Sequence, residues 1–99
     1  MEIVRNAMAG TMESSDIQIN LEPRQTEGLE IYLKSAVEKQ YGDQIRSLIR
    51  ETLQNLGVSA CIVRAVDKGA LDCTIRARVQ TAVGRACENS ELQAARILS

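Results

Sequence analysis

The residues of this 99-residue chain whose types and spacing could do chemistry are two adjacent serines, Ser14 and Ser15. They sit in the small, polar stretch Ala9-Gly10-Thr11-Met12-Glu13-Ser14-Ser15-Asp16. A serine attacks as a nucleophile only when a base takes its proton, and the chain has no histidine. No Ser-His-Asp or Cys-His arrangement can be drawn, and no Gly-rich phosphate loop appears. Acids are plentiful, 13 in all, but no spacing singles out a pair for two-carboxylate catalysis. The stretch is a poor place for core packing and a good one for showing a side chain to solvent. Its ordinary role is a turn, because Ser and Asp hydrogen-bond their own backbone. As a stand-alone enzyme the chain is a poor candidate.

The other reactive residues say little about catalysis. Cys61, Cys73 and Cys87 are odd in number and contain no close pair, so metal spacing is absent and no metal site is expected. Free thiols in a reducing cytosol are the default, with Cys61 and Cys73 read as core thiols. A net charge of −1, with 13 acids and 12 bases well mixed, argues against a nucleic acid partner. The only aromatics, Tyr32 and Tyr41, offer no stacking platform. No apolar run approaches the ~20 residues of a membrane span, and Glu2 and Arg5 are not followed by a signal-peptide core. A small cytoplasmic protein of one domain, residues 1–99, is expected, with its core built from Leu, Ile, Val and Ala.

The elements that would position the serines follow from periodicity. A short strand running roughly from Asn6 to Met12 leads into the serine turn. Ile17, Ile19 and Leu21 then alternate with polar neighbours, a half-buried strand that Pro23 ends. Leu29, Ile31 and Leu33 alternate likewise, and the short loop between predicts an antiparallel hairpin. Ser35-Ala36-Val37-Glu38 matches a capping box with Ser35 at the N-cap. Apolar residues from Val37 to Leu56 at spacings of three and four predict a long amphipathic helix closed by Gly57. Ser59 to Val66 is apolar on both parities, as in a central strand. A turn at Asp67-Lys68-Gly69 precedes a second helix to about Cys87, and 88–99 reads as a possible flexible tail. The order β-β-β-α-β-α predicts an α+β two-layer sandwich, a mainly antiparallel sheet of three to four strands with two helices on one face.

Three blocks are collinear along the chain: Ala9 to Asp16; Val37-Glu38-Lys39-Gln40-Tyr41-Gly42-Asp43 with Ile45 and Arg46; and Asp67-Lys68-Gly69-Ala70-Leu71-Asp72-Cys73 with Arg76-Ala77-Arg78. They resemble the acyl carrier subunit (gamma chain) of bacterial citrate lyase. Each is weak alone and together they are specific, covering the chain to about residue 86. The resemblance implies a non-catalytic carrier bearing a covalent phosphoribosyl-dephospho-CoA group, 2'-(5''-phosphoribosyl)-3'-dephospho-CoA, on a serine through a phosphodiester. It makes Ser14 the attachment residue and leaves Ser15 as its neighbour. The group's thiol would hold acetyl and citryl thioesters during cleavage of citrate to oxaloacetate and acetate in citrate fermentation. Implied partners are the alpha (acyl transferase) and beta (citryl lyase) subunits and the prosthetic-group transferase. A carrier needs no acid or base of its own, which suits a chain without histidine.

Two alternatives stand beside this reading. One is the carrier of a malonate decarboxylase complex, with the same kind of group. The other is a plain α+β interaction domain without cofactor, in which Ser14 is only a turn residue. Arg46, Arg50, Arg76 and Arg78 are either solvated helix residues, with local pairs such as Asp43–Arg46, or contacts for a cofactor's phosphates. Glu13 and Asp16 are either turn residues or marks read by the transferase.

Overall fold

The computed structural model describes residues 1–87, so the tail expected over 88–99 lies outside the described residues. Six elements follow in the expected order: β1 (Ala7–Ala9), β2 (Ile17–Glu22), β3 (Gly28–Ser35), α1 (Glu38–Asn55), β4 (Ala60–Asp67) and α2 (Asp72–Ala86). The four strands make one sheet in the order β1-β2-β4-β3, and the fold is α+β. Ile17, Ile19 and Leu21 on β2 and Cys61, Val63 and Ala65 on β4 share a buried face, with Ile19 opposite Ala65. Both helices pack on that face, through Ile45, Ile49 and Leu53 of α1 and Ile75, Val79 and Val83 of α2. Gln18, Asn20, Tyr32 and Arg64 lie on the other face, which no described element covers.

The expected hairpin between β2 and β3 does not form. β4 inserts between them, pairing antiparallel with β2 and parallel with β3, so the sheet is mixed. Two adjacent strand spacings are about 10 Å, within reach of a five-residue loop, so residues 23–27 step over the β4 position. The competing gain is tertiary. β3, α1 and β4 form a βαβ unit in which the apolar stripe of α1 and the apolar β4 are buried together. Local economy of the loop loses to that burial.

The capping box is a second correction. Ser35 is the last residue of β3, and the N-cap position of α1 falls at Val37 without a side-chain cap bond. The Ser35 hydroxyl is drawn instead to Asp67 of β4, donating to its Oδ2 at 2.9 Å while accepting from the Val37 N–H at 3.1 Å. Gly57 does close α1, at a φ of +78° that favours glycine. β1 is shorter than expected because Gly10 turns away at a φ of +89°, where a Cβ would strike the Ile17 carbonyl. The segment before β1 straps across the end of α2: Ile3 is buried, and the Val4 and Arg5 N–H groups both donate to the Ala86 carbonyl.

Candidate functional site: the Ser14 turn and its surroundings

Glu13 to Asp16 form a tight turn, closed by the Asp16 N–H donating to the Glu13 carbonyl at 3.2 Å. Ser14 and Ser15 are its two central residues and both are exposed. Ser15 holds a φ of +65°, a left-handed conformation that an L side chain enters at a cost of about 1 kcal/mol or more. Neither the Ser14 nor the Ser15 hydroxyl has a hydrogen-bond partner among the described residues.

The turn is fixed from two sides. On one, the Ser15 N–H donates to the Lys68 carbonyl at 2.8 Å and the Lys68 N–H donates to the Asp16 carbonyl at 2.9 Å. These bonds lace the turn to the loop after β4. On the other side stands Asp16, whose side chain is only 12% exposed. Thr11 donates to its Oδ2 through N–H at 3.2 Å and Oγ1 at 2.7 Å, and the Ile17 N–H donates to Oδ1 at 2.7 Å. Arg78 of α2 closes the set bidentately, Nε to Oδ1 at 3.0 Å and Nη2 to Oδ2 at 2.8 Å. The Thr11 hydroxyl also accepts from the Glu13 N–H at 3.1 Å, which carries the anchorage into the turn. The Arg78 bonds, with those from Thr11 and Ile17, outweigh desolvation and hold the Asp16 carboxyl well below the usual carboxylate range. The same contact raises the pKa of Arg78.

Asp67 supports the loop on which the turn leans. It is almost wholly buried, its Oδ1 accepting from the Ala70 N–H at 2.9 Å and its Oδ2 from Ser35. Beside it a groove of about 710 Å³ opens between the N-terminal ends of α1 and α2. Tyr41, Ile45, Leu71, Cys73 and Arg76 line it, with Tyr41 and Leu71 strongly exposed. Three stretches far apart in the chain, 9–16, 37–46 and 67–78, thus converge on one end of the molecule.

The structure sorts the other candidate residues. Glu13 is exposed, whereas Asp16 is a buried anchor. The four arginines are not brought together: Arg78 is held by Asp16, Arg76 borders the groove, and Arg50 lies toward the far end of α1 beside Glu27 and Ser59. Arg46 reaches Asp43 at 3.4 Å, the local pair expected from their spacing. Cys61 and Cys87 are buried, but Cys73 is exposed, contrary to expectation. It sits two residues before Ile75, on the opposite side of the helix from the buried stripe. The Asp16–Arg78 pair has no signal in the sequence, since the partners are 62 positions apart.

The α+β body thus holds two exposed serine side chains out on a turn anchored from two sides. Comparison with known proteins gives the family. The ACP family model described as "Malonate decarboxylase delta subunit (MdcD)" matches residues 4–86. The citrate lyase acyl carrier protein of Lacticaseibacillus casei is 60% identical over 89 residues, covering 90% of this chain and 87% of that one. That of Streptococcus mutans is 56% identical, covering 89% and 86%, and citrate lyase acyl carrier protein 2 of Salmonella typhimurium is 47% identical, covering 94% and 96%. Among solved structures, that of a Pseudomonas malonate decarboxylase hetero-tetramer in complex with malonate contains a chain of the same fold. The TM-score is 0.74 at 21% identity, over 88% of this chain and 89% of that one. The chain belongs to the citrate lyase acyl carrier protein family, whose members are carrier subunits and not catalysts.

Proposed function

We propose that the chain is the acyl carrier subunit of citrate lyase, bearing phosphoribosyl-dephospho-CoA through a phosphodiester on Ser14. The observation that carries this reading is the Glu13–Asp16 turn, with an exposed Ser14 hydroxyl that has no hydrogen-bond partner among the described residues, on a backbone anchored from two sides. The residues present suit such a group: nothing crowds Ser14, and the neighbouring groove leaves room for a long arm. When attached, the group supplies a terminal thiol for thioester chemistry. The chain's own work is to fix the arm's root and keep its reach constant between partners. Tethering raises the effective concentration of the carried acyl group at each partner's site.

The partners in this reading are the alpha acyl transferase and beta citryl lyase subunits, which together convert citrate to oxaloacetate and acetate, and the transferase that attaches the group. The reading treats residues 1–99 as one carrier domain. It also puts the chain in the cytoplasm, in keeping with free thiols at Cys61, Cys73 and Cys87. Among the described residues no helix is long and apolar enough to cross a membrane. The second reading, a malonate decarboxylase carrier, is favoured by the name of the matching family model. Identities of 47% or more to citrate lyase carriers, against 21% to the chain of the malonate decarboxylase structure, support the first.

Trypsin releases residues 6–24 as one peptide, with Thr11, Ser14 and Ser15 as its hydroxyl-bearing side chains. In active complex purified from the host, mass spectrometry is expected to find the added group on Ser14. An unmodified peptide in active complex sinks the carrier assignment at this turn. A mass on Ser15 refutes the site and keeps the function. Release of oxaloacetate from citrate, and not decarboxylation of malonate, by the same complex separates the two carrier readings.

A further inference from the structure

Asp16 is more heavily bonded than its place requires. Starting β2 needs only the pairing of Ile17 with Asp67, yet the Asp16 carboxylate collects five hydrogen bonds, two of them from the distant Arg78. Gly10 serves the same arrangement: a Cβ there would meet the Ile17 carbonyl and press on the Arg78 Cδ at 3.3 Å. Four of the bonds, two from Thr11 and two from Arg78, tie the segment before the turn and the body of α2 to the residue that ends it. The left-handed Ser15 conformation persists only where its surroundings over-determine it. An exposed turn without such bonds samples many conformations, and a reacting hydroxyl misplaced by about 1 Å can lose about 100-fold in rate.

We propose that Asp16 and Arg78 are positioning residues: together they clamp the Ser14 turn in the one geometry from which its hydroxyl is modified. The clamp acts through the backbone of 11–16 and touches neither the incoming group nor the reacting oxygen. This inference rests on the reading of Ser14 as the attachment residue.

The test pairs a kinetic and a structural readout on the full chain. Wild type, Asp16→Asn, Arg78→Gln and Arg78→Lys are incubated with the attaching transferase and a phosphoric-anhydride donor of the group; as the Ser14 Oγ–P bond forms, the donor's anhydride P–O bond breaks, the displaced phosphate or pyrophosphate leaves and the serine proton passes to solvent. The rate of mass gain on the 6–24 peptide is followed against carrier concentration. The clamp predicts that kcat for modification falls about tenfold or more in Asp16→Asn and Arg78→Gln, with KM within about twofold. Arg78→Lys, which can restore one charged bond, recovers part of the loss. Amide exchange over 11–17 accelerates about tenfold in the slow variants, while Ile19 and Val63 in mid-sheet keep their protection. Arg64→Gln, which breaks the Glu22 ion pair on the open sheet face, is expected to modify like wild type.

Folded variants that loosen the turn and still modify at the wild-type kcat overturn the clamp, as do variants whose turn amides stay protected. A rise in KM alone also overturns it, since that marks Asp16 or Arg78 as a surface the transferase reads. If Asp16→Asn unfolds, seen as lost protection at Ile19 and Val63, the two Arg78 variants decide. Wild type that takes no group overturns the Ser14 reading, and with it the kinetic half of the proposal, whatever the exchange rates.

Discussion

β2 ends in an arginine–carboxylate pair on each side, and the two pairs differ in everything except length. Asp16, just before the strand, meets Arg78 at 2.8 Å; Glu22, its last residue, meets Arg64 at 2.7 Å. Glu22 lies on the open sheet face with its side chain 35% exposed, and Arg64 also stacks over the Tyr32 ring. Asp16 lies toward the helices, 12% exposed, and serves backbone donors as well as Arg78. Water competes for both partners of the Glu22 pair, whereas in the Asp16 pair it reaches the 39% exposed Arg78 more readily than the carboxylate. An exposed ion pair contributes little, whereas a shielded carboxylate that also satisfies backbone N–H groups cannot be removed without orphaning its donors. Distance alone would rank the pairs the other way.

The largest effect is expected at the Asp16 end from Ser14→Ala, which should abolish attachment and acyl transfer while the urea midpoint stays put. A large fall in that midpoint would make Ser14 a structural turn residue instead. Next come the thiols, which mark the two ends of the sheet in the same way. Exposed Cys73 borders the groove by the turn, while buried Cys61 lies near Glu22, one residue from its partner Ile62. Burial pushes the Cys61 thiol up to about 11, so its reactive thiolate is about 100-fold scarcer than in an ordinary thiol. Alkylation followed by peptide mapping should label exposed Cys73 far faster than buried Cys61, and comparable rates would refute the burial of Cys61.

Replacing Asp16 with Ala should cost about 1.5–3 kcal/mol in urea unfolding, the range for hydrogen bonds to a charged group in a partly shielded site. A loss near zero would make the Asp16 end equivalent to the Glu22 end. Acid sharpens the same point. Because the folded pKa of Asp16 lies below its unfolded value, its stabilisation is complete above the ordinary carboxylate pKa of about 3.9. It is lost as pH falls below that value toward the folded one. Wild type should therefore exceed Asp16→Asn in stability at pH 6 and converge on it in acid, as thermal unfolding across pH would record. The smallest effect is reserved for Arg64→Gln, which should leave the unfolding midpoint within error.

How much of this was legible beforehand depends on how local each cause is. β2, α1 and β4 were readable because burial of one face writes a period of two or of three to four into consecutive residues. The serine-bearing turn was legible because turn chemistry is local, while the proposal of Ser14 as the attachment residue rests on the resemblance of short blocks. The antiparallel β2–β3 hairpin failed because pairing is chosen between distant segments, and β4 with α1 offered more burial than a short loop could. Ser35 failed as a cap because Asp67, 32 positions away, offered its hydroxyl a better partner. Cys73 could have been placed correctly by counting from Ile75.

Element order, the apolar stripes and the serine-bearing turn are written in neighbouring residues, and the lack of histidine in the composition, so all could be read without coordinates. Only the tertiary structure decided what holds that turn. Asp16 looks like one more small polar turn residue until α2 brings Arg78 against it, and Lys68 is an ordinary loop residue until its backbone meets Ser15. Both contacts depend on packing two helices against a sheet whose strand order no local pattern specifies. The physical reason is that hydrophobic burial is non-directional and can be read residue by residue, whereas a charged hydrogen bond exists only where the fold delivers both partners.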